Sequence, residues 1–82
     1  VRYALTEKAF TALLALSRRD QMSLLAAFEQ ICENPVDLAT GSAVDWEGQL
    51  TYAVRHGRYE IAYIVSRDSD WMTITLIRPK IR

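Results

Sequence analysis

"YAVRHGRYEIAY", residues 52–63, decides how this chain folds. Apolar and polar side chains alternate on both sides of His56-Gly57, which predicts two antiparallel strands joined by a two-residue loop. Such a loop takes positive φ at its centre. Gly57 fits the second position, and His56 tolerates the first better than most residues. The loop would fix the register, setting Arg55 opposite Arg58, Val54 opposite Tyr59, Ala53 opposite Glu60 and Tyr52 opposite Ile61. Side chains alternate between faces. Tyr52, Val54, Tyr59, Ile61 and Tyr63 are therefore expected under a helical layer, and Thr51, Ala53, Arg55, Arg58, Glu60 and Ala62 on the open side.

Two arginines directly opposite each other repel. Two readings of that pair stand side by side. Guanidinium groups held close together make an anion site, each able to donate two parallel hydrogen bonds to a phosphate, with Glu60 beside them to temper the charge. Equally, Arg55, Arg58 and Glu60 form a solvated surface cluster of charges worth about 0–1 kcal/mol and without function.

Upstream, "VRYAL" (1–5) alternates as a short strand. Thr6 then caps a helix over "EKAFTALLALS", with Phe10, Leu13, Leu14 and Leu16 as its apolar stripe. "RRDQ" interrupts the pattern, and Asp20 is the expected cap of a second helix. That helix buries Leu24, Leu25, Phe28, Ile31 and Cys32 and stops at Asn34, because the residue before Pro35 is pushed out of the α region. Residues 35–48, "PVDLATGSAVDWEG", read as a connector. Downstream, "SRDSD" (66–70) is a turn and "WMTITLI" (71–77) a third strand. On that strand Met72, Ile74 and Leu76 are expected inward, and Thr73, Thr75 and Ile77 outward. The expected fold class is α+β, in the order β-α-α-β-β-β: a short N-terminal strand, an αα-hairpin, then an antiparallel three-strand meander.

Length and composition bound the function. Eighty-two residues, half of them apolar, suit one domain spanning 1–82. Cys32 is the sole cysteine, so no intrachain disulfide forms, and a reducing, cytoplasmic location is expected. The first twenty residues are charged and do not read as a signal peptide, and no apolar run reaches membrane-spanning length. No membrane partner is expected. The zero net charge hides an asymmetry: residues 1–48 carry four basic against seven acidic side chains, residues 49–82 six against three. The basic half points to an anionic partner. There is no Gly-rich phosphate loop, no Cys/His metal spacing and no second histidine, so neither a metal nor another cofactor is expected.

These residues resemble the RelE/ParE superfamily of type II toxin–antitoxin toxins. "LSRRDQMSLLAAFEQICENP" resembles its helical hairpin, whose second helix commonly ends in Asn-Pro. "YAVRHGRYEIAY" resembles its central hairpin, where Tyr52, Arg55, Gly57, Tyr59 and Tyr63 match recurring positions. "MTITLIR" resembles the following strand, which leads into an arginine, here Arg78. The resemblance implies a toxin held inactive by a cognate antitoxin. RelE-like members cut mRNA on the ribosome without a metal, and ParE-like members inhibit DNA gyrase. Two departures bear on cleavage: Glu60 stands where many members carry arginine, and the chain ends "RPKIR" without the Tyr or His of ribosome-dependent members.

Metal-free RNA cleavage needs a base for the 2′-hydroxyl, cations for the phosphorane and an acid for the leaving oxygen. The candidate catalytic residues are Arg55, Arg58, Glu60 and Arg78; the candidate RNA-binding residues are Arg55, Arg58, Lys80, Arg82 and His56. Histidine exchanges protons near neutral pH, though in a turn it is more often simply exposed. Trp46 and Trp71 are candidates for stacking on bases or for contact with a partner. The first function reading is a RelE-like, ribosome-dependent endoribonuclease. The alternative is a non-catalytic binder: a ParE-like gyrase inhibitor, or an inactive homologue kept for antitoxin binding and regulation.

Overall fold

The computed structural model describes residues 2–44, 47–66 and 71–79. The elements run β1 (Arg2–Leu5), α1 (Glu7–Leu14), α2 (Arg18–Glu33), β2 (Gly41–Val44), β3 (Leu50–His56), β4 (Tyr59–Val65) and β5 (Trp71–Pro79). Among the described residues they form an α+β fold around one five-stranded sheet, ordered β1-β5-β4-β3-β2, in which β1 and β5 pair in parallel and the other neighbours antiparallel.

Local chemistry sets the helix ends. Thr6 caps α1 as expected, its Oγ1 accepting from the Ala9 N–H at 3.2 Å. The cap of α2 is Ser17 and not Asp20: Ser17 Oγ accepts from the Asp20 N–H at 3.2 Å, so "RRD" is the first turn of the helix. The Asp20 carboxylate is thereby released for a longer-range bond. At the other end α2 stops at Glu33, with Asn34 before Pro35 out of the helical region at φ -147, ψ 67.

The core lies between the helices and one face of the sheet. Leu13, Leu24, Phe28 and Ile31 from the helices meet Val54, Ile61, Tyr63, Met72, Ile74 and Ile77 from the strands. The α1 stripe differs from expectation. Ala9 and Leu13 are buried, whereas Phe10 (51% exposed) and Leu14 (57%) face outward. α1 is only eight residues long, and its buried stripe is narrow. The "GSAV" stretch of the expected connector is an edge strand, β2, which pairs with β3 from Gly41↔Ala53 to Val44↔Leu50. Both its faces are exposed, so it carries no alternating apolar signal. The expected three-strand meander thus has a fourth antiparallel strand at its outer edge.

Two features of register place the functional face. First, the hairpin turns at Gly57-Arg58, giving the pairs His56↔Tyr59, Arg55↔Glu60, Val54↔Ile61 and Tyr52↔Tyr63. Each strand has slid by one residue relative to expectation, which preserves the two faces while changing every partner. The slide replaces an Arg–Arg pair by Arg–Glu, and it stacks Tyr52 on Tyr63 at 5.9 Å. Gly57 takes φ +59 at the first turn position, where positive φ is required. Second, Ala62 pairs with Leu76 but Tyr63 pairs with Ile74, so Thr75 is an extra residue in β5. Its Oγ1 donates to the Ala62 carbonyl at 3.3 Å. Beyond this bulge the parity reverses: Ile77 is buried, and Leu76 lies in the Ala62 row of the open face.

Candidate functional site

The bulge determines where Arg78 goes. Without Thr75 as an extra residue, Arg78 would share a face with Met72 and Ile74, beneath the helices. With it, Arg78 stands opposite Glu60 on the open face, and Glu60 stands opposite Arg55 on its other side. Arg55, Glu60 and Arg78 therefore form one row across β3, β4 and β5. Behind it, Ala53 and Ala62 keep the next row low between the neighbouring strands. Arg78 donates from Nε to Glu60 Oε1 at 2.8 Å, and its Nη2 forms an ion pair with the same oxygen at 2.7 Å. Arg55 is exposed and makes no ion pair among the described residues.

Arg58 is elsewhere. It sits in the turn and bends toward the helices, donating from Nη2 to Asp20 Oδ2 at 2.9 Å and lying 5.4 Å from the centroid of the Tyr59 ring. The expected opposition of Arg55 and Arg58 does not form. The charge repulsion that it would have carried is avoided by the slide of the hairpin and by a carboxylate on α2. His56 likewise lies on the helix side, paired with Tyr59, its Nε2 2.9 Å from Ser23 Oγ. Of the predicted site residues, the structure brings together Arg55, Glu60 and Arg78 and separates Arg58 and His56 from them. Lys80, Arg82 and Trp46 lie outside the described residues. Trp71 is half-exposed on β5.

A second cluster gathers where Arg58 points. Asp20 Oδ2 accepts from the Tyr59 hydroxyl at 2.7 Å as well as from Arg58. The Tyr59 hydrogen bond first, and then that of Arg58, hold the Asp20 carboxyl below its ordinary value; the Arg58 guanidinium is pushed up by its own hydrogen bond to Tyr59 first and then by that to Asp20. An open groove of about 620 Å³ lies here, lined by Arg19, Asp20, Ser23, His56, Arg58 and Tyr59. Asp20, Ser23 and Arg19 carried no signal in the sequence beyond their place at the start of a helix. The partners of Asp20 and Ser23 are more than thirty residues away, and no spacing rule connects them.

The hairpin tyrosines and Cys32 behave as structural residues. Tyr59 and Tyr63 are buried and Tyr52 is half-buried. Tyr63 donates to the Pro35 carbonyl, and burial pushes its hydroxyl pKa up to about 12. Cys32 is buried; burial first, and then Glu29, push its thiol up, away from the reactive thiolate. Among the described residues no His, Cys, Asp and Glu cluster suits a metal ion, and no helix is long and apolar enough to cross a membrane.

No protein-family model and no curated protein matches this chain. Solved structures do. The RelBE2 toxin–antitoxin complex of Mycobacterium tuberculosis superposes with a TM-score of 0.81 at 18% identity, covering 96% of both chains. The RelE–RelB complex of Pyrococcus horikoshii gives 0.79 at 19% identity, covering 99% of this chain and 96% of that one. The isolated Escherichia coli RelE toxin gives 0.74 at 14% identity, covering 98% and 84%. The strand order, the helical layer on one side and the near-complete overlap together assign this chain the fold of the RelE toxins.

Proposed function

We propose that this chain is a RelE-type toxin of a toxin–antitoxin pair, acting in the cytoplasm on mRNA held by the ribosome and cleaving it without a metal. The observation that carries the reading is the cross-strand row of Arg55, Glu60 and Arg78 on the open face, with Arg55 left without an ion-pair partner among the described residues. In this reading Arg55 grips the scissile phosphate and stabilises the charge that builds on the phosphorane. Glu60 takes the proton of the attacking 2′-hydroxyl, and Arg78 fixes the orientation of its carboxylate. The leaving 5′-oxygen takes its proton from water or from a group of the ribosome, because among the described residues no imidazole or phenol faces the row. Arg58 passes from the catalytic set to a positioning role at the turn. A cognate antitoxin would cover the toxin; exposed Phe10, Leu14 and Met22 offer apolar surface on the helices.

One observation favours the non-catalytic alternative. Glu60 occupies two nitrogens of Arg78, the second cation of the row, and so weakens the pull on a phosphate. Purified protein mixed with programmed ribosomes separates the two. We expect cuts within the A-site codon, and a loss of about 10²-fold or more in Arg55→Ala. If wild type cuts no better than Arg55→Ala, the endoribonuclease reading fails. Inhibition of gyrase supercoiling would then support the ParE-like alternative.

A further inference from the structure

The row on the open face leaves the groove on the helix side of the same hairpin tip unexplained. We propose that this groove is a second phosphate subsite, which binds a phosphodiester of the RNA strand flanking the scissile one. The inference rests on the reading above and extends it around the tip of the hairpin.

Four observations support an anion there. Arg19 lines the groove and makes no ion pair among the described residues. Arg58 spends one terminal nitrogen on Asp20 and Tyr59, and its side chain is 73% exposed, so the rest of its fork is available to a ligand. Asp20 Oδ2 already accepts from Arg58 and Tyr59, and with Arg19 close enough to act on the same carboxylate, two guanidinium charges stand against one carboxylate, so the cluster is net positive. Ser23 Oγ and His56 Nε2 share one hydrogen bond at the groove wall, adding polar groups that can turn to an oxyanion.

The position argues for RNA in particular. The pair Arg55↔Glu60 and the pair His56↔Tyr59 are successive steps of one hairpin and face opposite sides of the sheet. Only the Gly57-Arg58 turn separates them at the tip. A Cβ at Gly57 would meet nothing within 4 Å, so a nucleic-acid backbone can pass over this ridge from one patch to the other.

The test is a titration of the ¹⁵N-labelled full chain with a single-stranded RNA hexamer whose 2′-oxygens are methylated to block cleavage. Parallel titrations use inorganic phosphate and a short oligoglutamate peptide. The hexamer is expected to shift the Arg19, Ser23 and Gly57 amides saturably, and to bind about tenfold more weakly to Arg19→Gln, from the loss of one charged hydrogen bond. His56→Gln should also weaken it, while Arg55→Ala should still shift the groove signals. In ribosome assays Arg19→Gln should need about tenfold more protein for the same cutting, at unchanged codons. Dispersed amide spectra confirm that each variant is folded. Shifts confined to Arg55, Glu60 and Arg78, equal binding by Arg19→Gln, or a response to phosphate or oligoglutamate without one to RNA would each overturn the subsite. Groove binding without ribosomal cleavage would retain the subsite and remove the endoribonuclease reading instead.

Discussion

Arg78 meets Glu60 across the sheet at 2.7 Å, and it does so only because Thr75 is one residue too many for its strand. A bulge that reverses side-chain parity has turned a position destined for the core into part of an open charged row. Deleting Thr75 would restore regular pairing and force a choice between burying Arg78 and fraying the end of β5. Either outcome sacrifices the burial of Ile77, which is 6% exposed. We expect a loss of about 1.5–3 kcal/mol by urea unfolding.

The ion pair itself is a surface pair, and its contribution to stability should be small. Arg78→Ala is expected to cost about 1 kcal/mol or less, while cutting activity on ribosomes falls by about 10²-fold if the row acts as proposed. A stability loss large enough to explain the lost activity would make Arg78 a structural residue.

Asp20 ties the hairpin tip to α2, and its carboxyl is held below the ordinary value. Its contribution to stability is therefore present above the unfolded-state pKa, about 3.9, and lost as pH falls through the lower folded value. Thermal unfolding of wild type and Asp20→Asn should show wild type the more stable at pH 7, with the gap closing under acid. A gap that persists to pH 2 would mean the carboxylate is not its source.

Tyr63 supplies the opposite sign. Its hydroxyl donates to the Pro35 carbonyl from a buried position, and its pKa is raised to about 12 from the ordinary 10.0. The stability it contributes is complete below pH 10 and declines as pH rises toward 12. Tyr63→Phe should lose about 1–3 kcal/mol at neutral pH, because the carbonyl is left without its donor. It should also lack the alkaline decline of wild type, followed by unfolding between pH 9 and about 12.

The face of α1 can be checked with two truncations. Leu13→Ala should cost about 2–5 kcal/mol. Phe10→Ala should change stability by about 0.5 kcal/mol or less, because its ring is already half in water. A large loss at Phe10 would restore the apolar stripe expected from its spacing.

Periodicity carried far in this chain because it is a local property. Alternation along residues 50–65 put Tyr52, Val54, Ile61 and Tyr63 on the helix side and Arg55 and Glu60 on the other, and the slide of the hairpin left those faces intact. The Asn-Pro end of α2 and the Thr6 cap were likewise written in neighbouring residues. β2 was hidden because a short edge strand exposed on both faces has no apolar rhythm to detect.

Partners across the fold were decided elsewhere. The turn falls at Gly57-Arg58 and not at His56-Gly57, and there Asp20 and Ser23 reach the hairpin tip from a helix far back in the chain. Whether Arg78 faced solvent depended on how nine residues of β5 matched seven of β4 once both were pressed against one core. Within a strand that carries no bulge, sequence spacing determines which side a residue occupies. Which residue stands opposite is a sum over contacts between distant segments, and only packing in three dimensions settles that sum.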